Sequence, residues 1–523
     1  MPGLTDMNTL ASLMCLCLAL YLVRHRQRKG LALPPGPRGV PLLGNVLQIN
    51  PKKIWRELEI WGKQYGPLNY LNLAGQSVVV INSQKVARDL FERRAGNYSS
   101  RPRNIVCGQY LSGGYNMFLL QHGDDMWRRM RKSSVHALGQ RVAVQYQPIQ
   151  TNQGILLAYD ILQSPQHWSD HIHRAIASSI LSIVYDLPPI QTLPDPATDF
   201  MNDFIARFAQ AMCPGAYAVE FLPILDYVPA SLARWKRDAR ADFHFYTQTF
   251  EKMFAKVKED SLKGEVEQAS FCATLLKPEA KHGMSDRESA WLAATLYVAG
   301  FETSTATLGW IVFCMLLFPE VQRKAQEELD RVVGRSRLPN FADAKHLPYI
   351  HAIIREVLRW RPPTPISIPH ATVNDDVYEN HFIPGSSLCL ANVWSINRDP
   401  EVYGEDADDF RPERHLDIDG TLKDPSGEGH FTYGFGQRDC AGRHVANNSL
   451  FIYTATILWT MVIEPPKDND FKPIIPNITD EKTDGVALHP PAFDIMSVPR
   501  FDQALEILQH SRDEIMIQAS RRA

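Results

Sequence analysis

The chain has 523 residues, 45% of them hydrophobic and 22% charged, which is ample apolar material for a large core. Its net charge of −3 excludes the global basic field that a nucleic-acid binder carries. Eight cysteines are scattered with no Cys-x-x-Cys pair, so they read as thiols in a reducing compartment rather than as a disulfide framework.

At the N-terminus, Met7 to Val23 runs for 17 residues without a charged side chain, the short end of what spans a bilayer. Arg24, Arg26, Arg28 and Lys29 follow it. A cleaved signal places its basic residues before the apolar run. The reversed order predicts a retained transmembrane anchor over residues 1–29, with the remaining chain cytosolic. Residues 30–37 hold Leu33-Pro-Pro-Gly-Pro37, a stiff hinge. Residues 38–523 show no repeat and no Gly/Ser linker, and are expected to form one catalytic domain.

Leu68 to Ser83 is rich in β-formers around a glycine and predicts a hairpin. Helical patterns then dominate to about residue 360, and a proline-rich irregular region follows from Arg361 to Phe435. A helix is expected from about Ala441, with a tail of strand and loop. The clearest helix runs from Arg287 to about Phe318, opened by the capping box Ser285-x-x-Glu288 and stopped by Pro319. It is apolar nearly all round from Trp291 to Leu317, so it should cross the middle of the domain. Inside it sits a polar island, Ala299-Gly-Phe-Glu-Thr-Ser-Thr305. Earlier, Glu220 to Arg237 sets Phe221, Leu222, Ile224 and Leu225 beside two prolines; core packing and a membrane-facing loop are equally open readings.

The stretch Tyr433 to His444, "YGFGQRDCAGRH", carries the chemistry. Cys440 follows Gly434 and Gly436, precedes a helix, and has Arg438 and Arg443 nearby, a setting that favours a thiolate. As a nucleophile it lacks a facing base, since His444 lies one turn along the same helix. Cys440 and His444 would be only half a zinc site. An axial haem ligand needs one cysteine alone.

This stretch resembles the cysteine-ligand loop of the cytochrome P450 haem-thiolate enzymes, F-G-x-G-x-R-x-C-x-G, with Tyr433 in place of the usual phenylalanine. The resemblance extends over nearly the whole chain after residue 33. It implies a mainly α fold with small β-sheets and haem b held by Cys440, with Phe435, Gly436 and Gly442 shaping the cofactor loop. Glu356-Val-Leu-Arg359 matches the family's E-x-x-R, although Glu328-Leu-Asp-Arg331 matches it too. With Arg414 in "FRPERH", Glu356 and Arg359 are expected to form a buried ion network for folding and haem seating. The polar island fits A-G-x-[ED]-T-[TS], with Ala299 and Gly300 beside the haem, Thr303 as the distal hydroxyl and Glu302 as the acid relay. Trp127, Arg131, His370 and Arg438 stand where the family places donors to the haem propionates.

No flavin or nicotinamide motif is present in the chain, so electrons are expected from NADPH through a separate cytochrome P450 reductase, with cytochrome b5 as a further donor. Arg128, Arg129, Arg131, Lys132 and Arg443 would form its docking face. The expected protein is a monomer at the endoplasmic reticulum membrane. It would oxidise a small apolar substrate with O2, in the manner of fungal members of secondary metabolism or xenobiotic oxidation. Phe301 and Ile366 are candidate pocket residues. Two alternatives stay open: a hydroperoxide isomerase or dehydratase of the same fold, needing no reductase, and a non-catalytic membrane-anchored protein with a structural thiol or zinc.

Overall fold

A capping box and a proline set the limits of the helix that organises the fold. The Ser285 hydroxyl accepts from the Glu288 amide at 3.2 Å while the Glu288 carboxylate accepts from the Ser285 amide at 2.6 Å. The helix then runs over Asp286–Leu317, ending before Pro319 as expected. The structure, a computed structural model, describes residues 30–520 apart from 51–52, 214, 265–268, 278–281 and 484–486. The anchor expected over residues 1–29 lies outside the described residues.

The helices that build the site are, in chain order, α1 (Asp125–Leu138), α2 (Gln147–Gln163), α3 (Trp168–Tyr185), α4 (Asp286–Leu317), α5 (Pro348–Trp360), α6 (Arg443–Thr460) and α7 (Ala504–Ser520). α4 is long and apolar enough to cross a membrane, but 78% of its most apolar window is buried inside the protein, so it is the core helix. It packs on α3, α5 and α6, and α6 packs on α2. Helices thus make up most of the fold, with small sheets at its margin.

The hairpin forms as predicted. Strands β1 (Leu68–Leu73) and β2 (Gln76–Ile81) pair antiparallel with Leu68 opposite Ile81. Their tight turn places Ala74 and Gly75 at φ of +49° and +96°, the two-residue geometry that matches strand twist. Two later strands, β3 (His370–Ala371) and β4 (Leu388–Ala391), complete a sheet in the order β1-β2-β4-β3. The β2–β4 pairing is parallel, with Val78 opposite Leu388, so the proline-rich region is tied to the front of the chain. This is what brings His370 beside the segment that starts at Tyr98. A further pair, β5 (Lys482–Thr483) and β6 (Leu488–His489), lies against α4: the Trp310 indole donates to the Leu488 carbonyl at 2.8 Å.

The tail departs from expectation. Instead of ending in strand and loop, it closes with α7, seated on α2. Ala504, Leu508, Ile515 and Ala519 are its buried positions, a helical spacing interrupted by polar residues.

Candidate active site

Glycine geometry builds the cysteine loop. Gly434 and Gly436 have φ of +79° and +58°, a region that side chains resist. At Gly436 a Cβ would stand 2.2 Å from the Phe91 carbonyl oxygen, so only glycine lets the loop lie on that backbone. Phe435 is buried beside it, stacked on Phe91 and Phe431 with ring centroids 6.0 and 5.7 Å away. Phe435 and Gly436 fasten the loop to a small apolar core. Gly442 differs, because a Cβ there would meet nothing within 4 Å.

The Cys440 amide donates to the Tyr433 carbonyl at 2.8 Å and closes the loop. Helix α6 begins at Arg443, slightly later than expected, with Gly442 as its N-cap. Burial pushes the Cys440 thiol above its ordinary pKa; the Gly442 amide, Arg131 and Arg443 oppose this, and Asp439 adds to it. The expected preference for a thiolate is therefore outweighed by burial. The thiol ionises when a metal cation replaces its proton.

The burial of α4, which packs on α6, breaks between Leu296 and Thr303. Ala290 to Thr295 and Ser304 to Leu316 are buried, whereas Leu296, Val298, Ala299, Gly300, Glu302 and Thr303 are partly accessible. Leu296, Ala299, Gly300 and Thr303 share one stripe of the helix, and Val298 and Glu302 lie on a second. An interior helix that is partly accessible over two turns borders open space there. Ala441 to Asn448, at the start of the neighbouring α6, are partly accessible as well.

Within this stretch the Thr303 hydroxyl donates to the Ala299 carbonyl at 2.8 Å, which fixes its rotamer and leaves its oxygen as an acceptor. The Glu302 carboxylate lies 3.6 Å from the His489 Nε2 on β6. At Gly300 a Cβ would stand 3.0 Å from the Ile180 side chain, so the glycine lets α3 approach α4 closely there. Phe301 is a correction: it is 3% exposed, stacks on Tyr297 at 5.6 Å and faces His173 of α3, so it belongs to the core and not to a pocket wall. Ile366 is partly buried between two apolar clusters.

A group of buried and half-buried cations sits beside the loop. Arg438 donates to the carbonyls of Ser99 at 2.9 Å and Leu120 at 2.7 Å, and its guanidinium lies 4.2 Å over the Trp127 ring. Arg101, which sequence reasoning missed, donates to the carbonyls of Phe118, Ile368 and Pro369. Neither guanidinium has a carboxylate partner among the described residues, and the Trp127 indole N–H has no hydrogen bond there. Burial lowers the pKa of Arg438 to about 9, with Arg131 adding to the fall, and lowers that of Arg101 well below the ordinary range. One buried cation, one half-buried cation and an unused donor define a place for an anion.

His370 and Arg131 fit that place less well than expected. His370 is buried with Nδ1 at 2.7 Å from the Tyr98 carbonyl, so as a neutral imidazole it has no second N–H to offer. Burial, with Arg101 and Arg438 nearby, holds its pKa well below the ordinary value. Arg131 pairs with the carboxylate and carbonyl of Asp439, next to Cys440, and so steadies the loop.

The ion network forms on Glu356, which is completely buried. Its carboxylate accepts from Arg359 at 2.7 and 2.8 Å, from Arg414 at 2.9 Å and from the Arg411 amide at 2.8 Å. His415 is a further partner at 2.9 Å, not singled out in the sequence. The competing motif is resolved: Glu328 instead accepts from the backbone amides of Tyr349 and Ile350 at the start of α5. Of the basic surface residues, Arg129 is held by Asp125 and Glu288, and Arg443 by Asp439, which leaves Arg128 and Lys132 exposed on α1.

Comparison with known proteins places the chain in a family. The cytochrome P450 family profile matches residues 34–496. A cytochrome P450 monooxygenase of Armillaria gallica is 46% identical over 95% of each chain. Cytochrome P450 monooxygenase 58 of Postia placenta is 42% identical over 95% of this chain and 94% of its own. Cytochrome P450 monooxygenase iboC of Amanita muscaria is 36% identical over 94% of this chain and 95% of its own. The chain therefore belongs to the cytochrome P450 family, whose members hold haem iron through a cysteine thiolate, and it is an oxidoreductase of the monooxygenase class.

Proposed function

We propose that Cys440 is the thiolate ligand of a haem b, and that the enzyme inserts one atom of O2 into a C–H or C=C bond of an apolar organic substrate while the other leaves as water. The observation that carries this reading is the anion-demanding group of Arg101, Arg438 and Trp127, because Arg438 lies two residues before Cys440 in the same loop. Two haem carboxylates would satisfy it. When bound, the haem supplies oxygen activation, with its iron made electron-rich by the sulfur.

The chain's own residues do the rest. Arg101, Arg438 and Trp127 hold the propionates, and Asp439 with Arg131 keeps the loop in register. Thr303 offers its hydroxyl oxygen at the accessible stripe of α4, and Glu302 moves protons from behind it while paired with His489. The apolar wall of α4 excludes bulk water from that path. Glu356, Arg359, Arg414 and His415 act on the fold, tying α5 to the segment that leads into the cysteine loop.

NADPH is the electron source, through a separate reductase that docks on Arg128 and Lys132. Residues 1–29 anchor the protein in the endoplasmic reticulum membrane, and the exposed side chains Phe221, Leu222, Ile224 and Tyr227 would sit in the same lipid surface. The substrate belongs to fungal secondary metabolism or to xenobiotics.

The test begins with binding spectra against aromatic, terpenoid and fatty-acid candidates. It continues with turnover of the best binder under isotopically labelled O2, with reductase and NADPH. Label in the product, with no product when reductase is omitted, supports the reading. Turnover with a hydroperoxide alone, indifferent to reductase, favours the isomerase alternative. A Glu substitution at Arg128 and at Lys132 should slow reduction most at low salt.

A further inference from the structure

The chain departs from its family's cysteine loop at Tyr433, and that hydroxyl needs a partner in a buried place. It has one. The Tyr433 hydroxyl donates to the Asn447 Oδ1 at 2.6 Å, and the Asn447 amide nitrogen donates to the Glu428 carboxylate at 2.9 Å. The amide orientation is fixed by chemistry, since a carboxylate only accepts and so must face the nitrogen. Tyr433 also receives the Cys440 amide on its carbonyl at 2.8 Å. One residue therefore grips the cysteine through its backbone and α6 through its side chain.

The three links join separate pieces of chain. Glu428 lies in the segment before the loop, Tyr433 in the loop and Asn447 in the first turns of α6. A carboxylate pulling on the amide N–H₂ makes the amide oxygen a better acceptor, which strengthens the Tyr433 bond in the same sense. The Tyr433 ring also packs on His430, 5.2 Å away. A phenylalanine at this position would keep the ring contact and lose the link to α6.

We propose that Tyr433, Asn447 and Glu428 form a hydrogen-bonded strap that holds the cysteine loop against α6 and keeps the Cys440 sulfur on its metal. Tyr433 is the positioning residue, and the strap rests on Cys440 being the ligand. The isosteric variant Tyr433→Phe removes one buried hydrogen bond while leaving the packing intact. The readout is the rate at which the reduced, CO-bound enzyme loses its thiolate band at about 450 nm on mild heating. Loss of the bond, about 1 kcal/mol, should make that rate roughly five-fold faster. Glu428→Gln keeps an acceptor but removes the charge, and should give a smaller acceleration in the wild-type background and none in the Tyr433→Phe background.

Equal rates for wild type and Tyr433→Phe would overturn the strap. So would an effect of Glu428→Gln that is the same in both backgrounds, because the three residues would then act separately. A wild-type protein without the band would contradict the reading of Cys440 itself, a different failure from either of these.

Discussion

Replacing Glu356 with glutamine changes one atom type at a position with no exposed surface, and its effect can be worked out from the contacts. The carboxylate accepts hydrogen bonds from Arg359, Arg414, His415 and the Arg411 amide. Burial alone would raise its pKa, but the bonds from Arg359 and His415 and the charge on Arg359 bring it down to about 2, from an ordinary 4.5. That difference corresponds to about 3 kcal/mol of stability. Because the folded-state pKa is depressed, the contribution is complete above the unfolded value and is lost as pH falls from about 4.5 towards 2. Breaking a buried pair by neutralising one partner costs roughly 3–5 kcal/mol, which agrees. The glutamine nitrogen would also face guanidinium or imidazole donors, leaving one of them unsatisfied. Urea unfolding of the holoenzyme, followed by circular dichroism and haem absorbance, should show the variant less stable by about 3 kcal/mol near neutral pH, with the gap narrowing as pH drops through 4 to 3. A difference under about 1 kcal/mol near neutrality, or one that does not depend on pH, would refute the assigned charge state of the network.

Arg101→Leu removes the buried one of the two cations that have no carboxylate partner among the described residues, so haem should transfer to an apo-globin acceptor at least ten-fold faster, on the order of a charged hydrogen bond; an unchanged transfer rate would remove Arg101 from the anion site. Thr303→Ala deletes the hydroxyl on the accessible stripe of α4 and should lower product formed per NADPH by roughly ten-fold, with peroxide released instead; unchanged coupling would leave Thr303 as a helix residue bonded only to the Ala299 carbonyl.

The sequence made α4 legible because a capping box, a proline and an apolar run each act locally, and all three agree. The hairpin was legible for the same reason. Glu356 and Arg359 were readable only with their surroundings, since Glu328 and Arg331 share the spacing and do unrelated work. What escaped reading depends on long-range contact. Arg101 sits in an extended stretch before a proline, and nothing local reveals that Arg438 comes to rest beside it. Arg131 and His370 were placed with the anion donors, but the structure gives their main bonds to Asp439 and to the Tyr98 carbonyl. Phe301 shows the same limit: it is one step around the helix from the partly accessible Gly300, yet it is buried against Tyr297 and His173. α7 is hard to read because its apolar positions are interspersed with charged and polar ones, and only contact with α2 and α6 makes Ala504, Leu508, Ile515 and Ala519 a core.

The most direct measurement is the reduced carbon monoxide difference spectrum of wild type and Cys440→Ser, prepared side by side and matched by circular dichroism. The account predicts a band at about 450 nm for the wild type and its absence in the variant, with helical content unchanged. A variant that keeps the band, or a folded wild type that never shows it, would contradict the sulfur–iron bond on which the account stands.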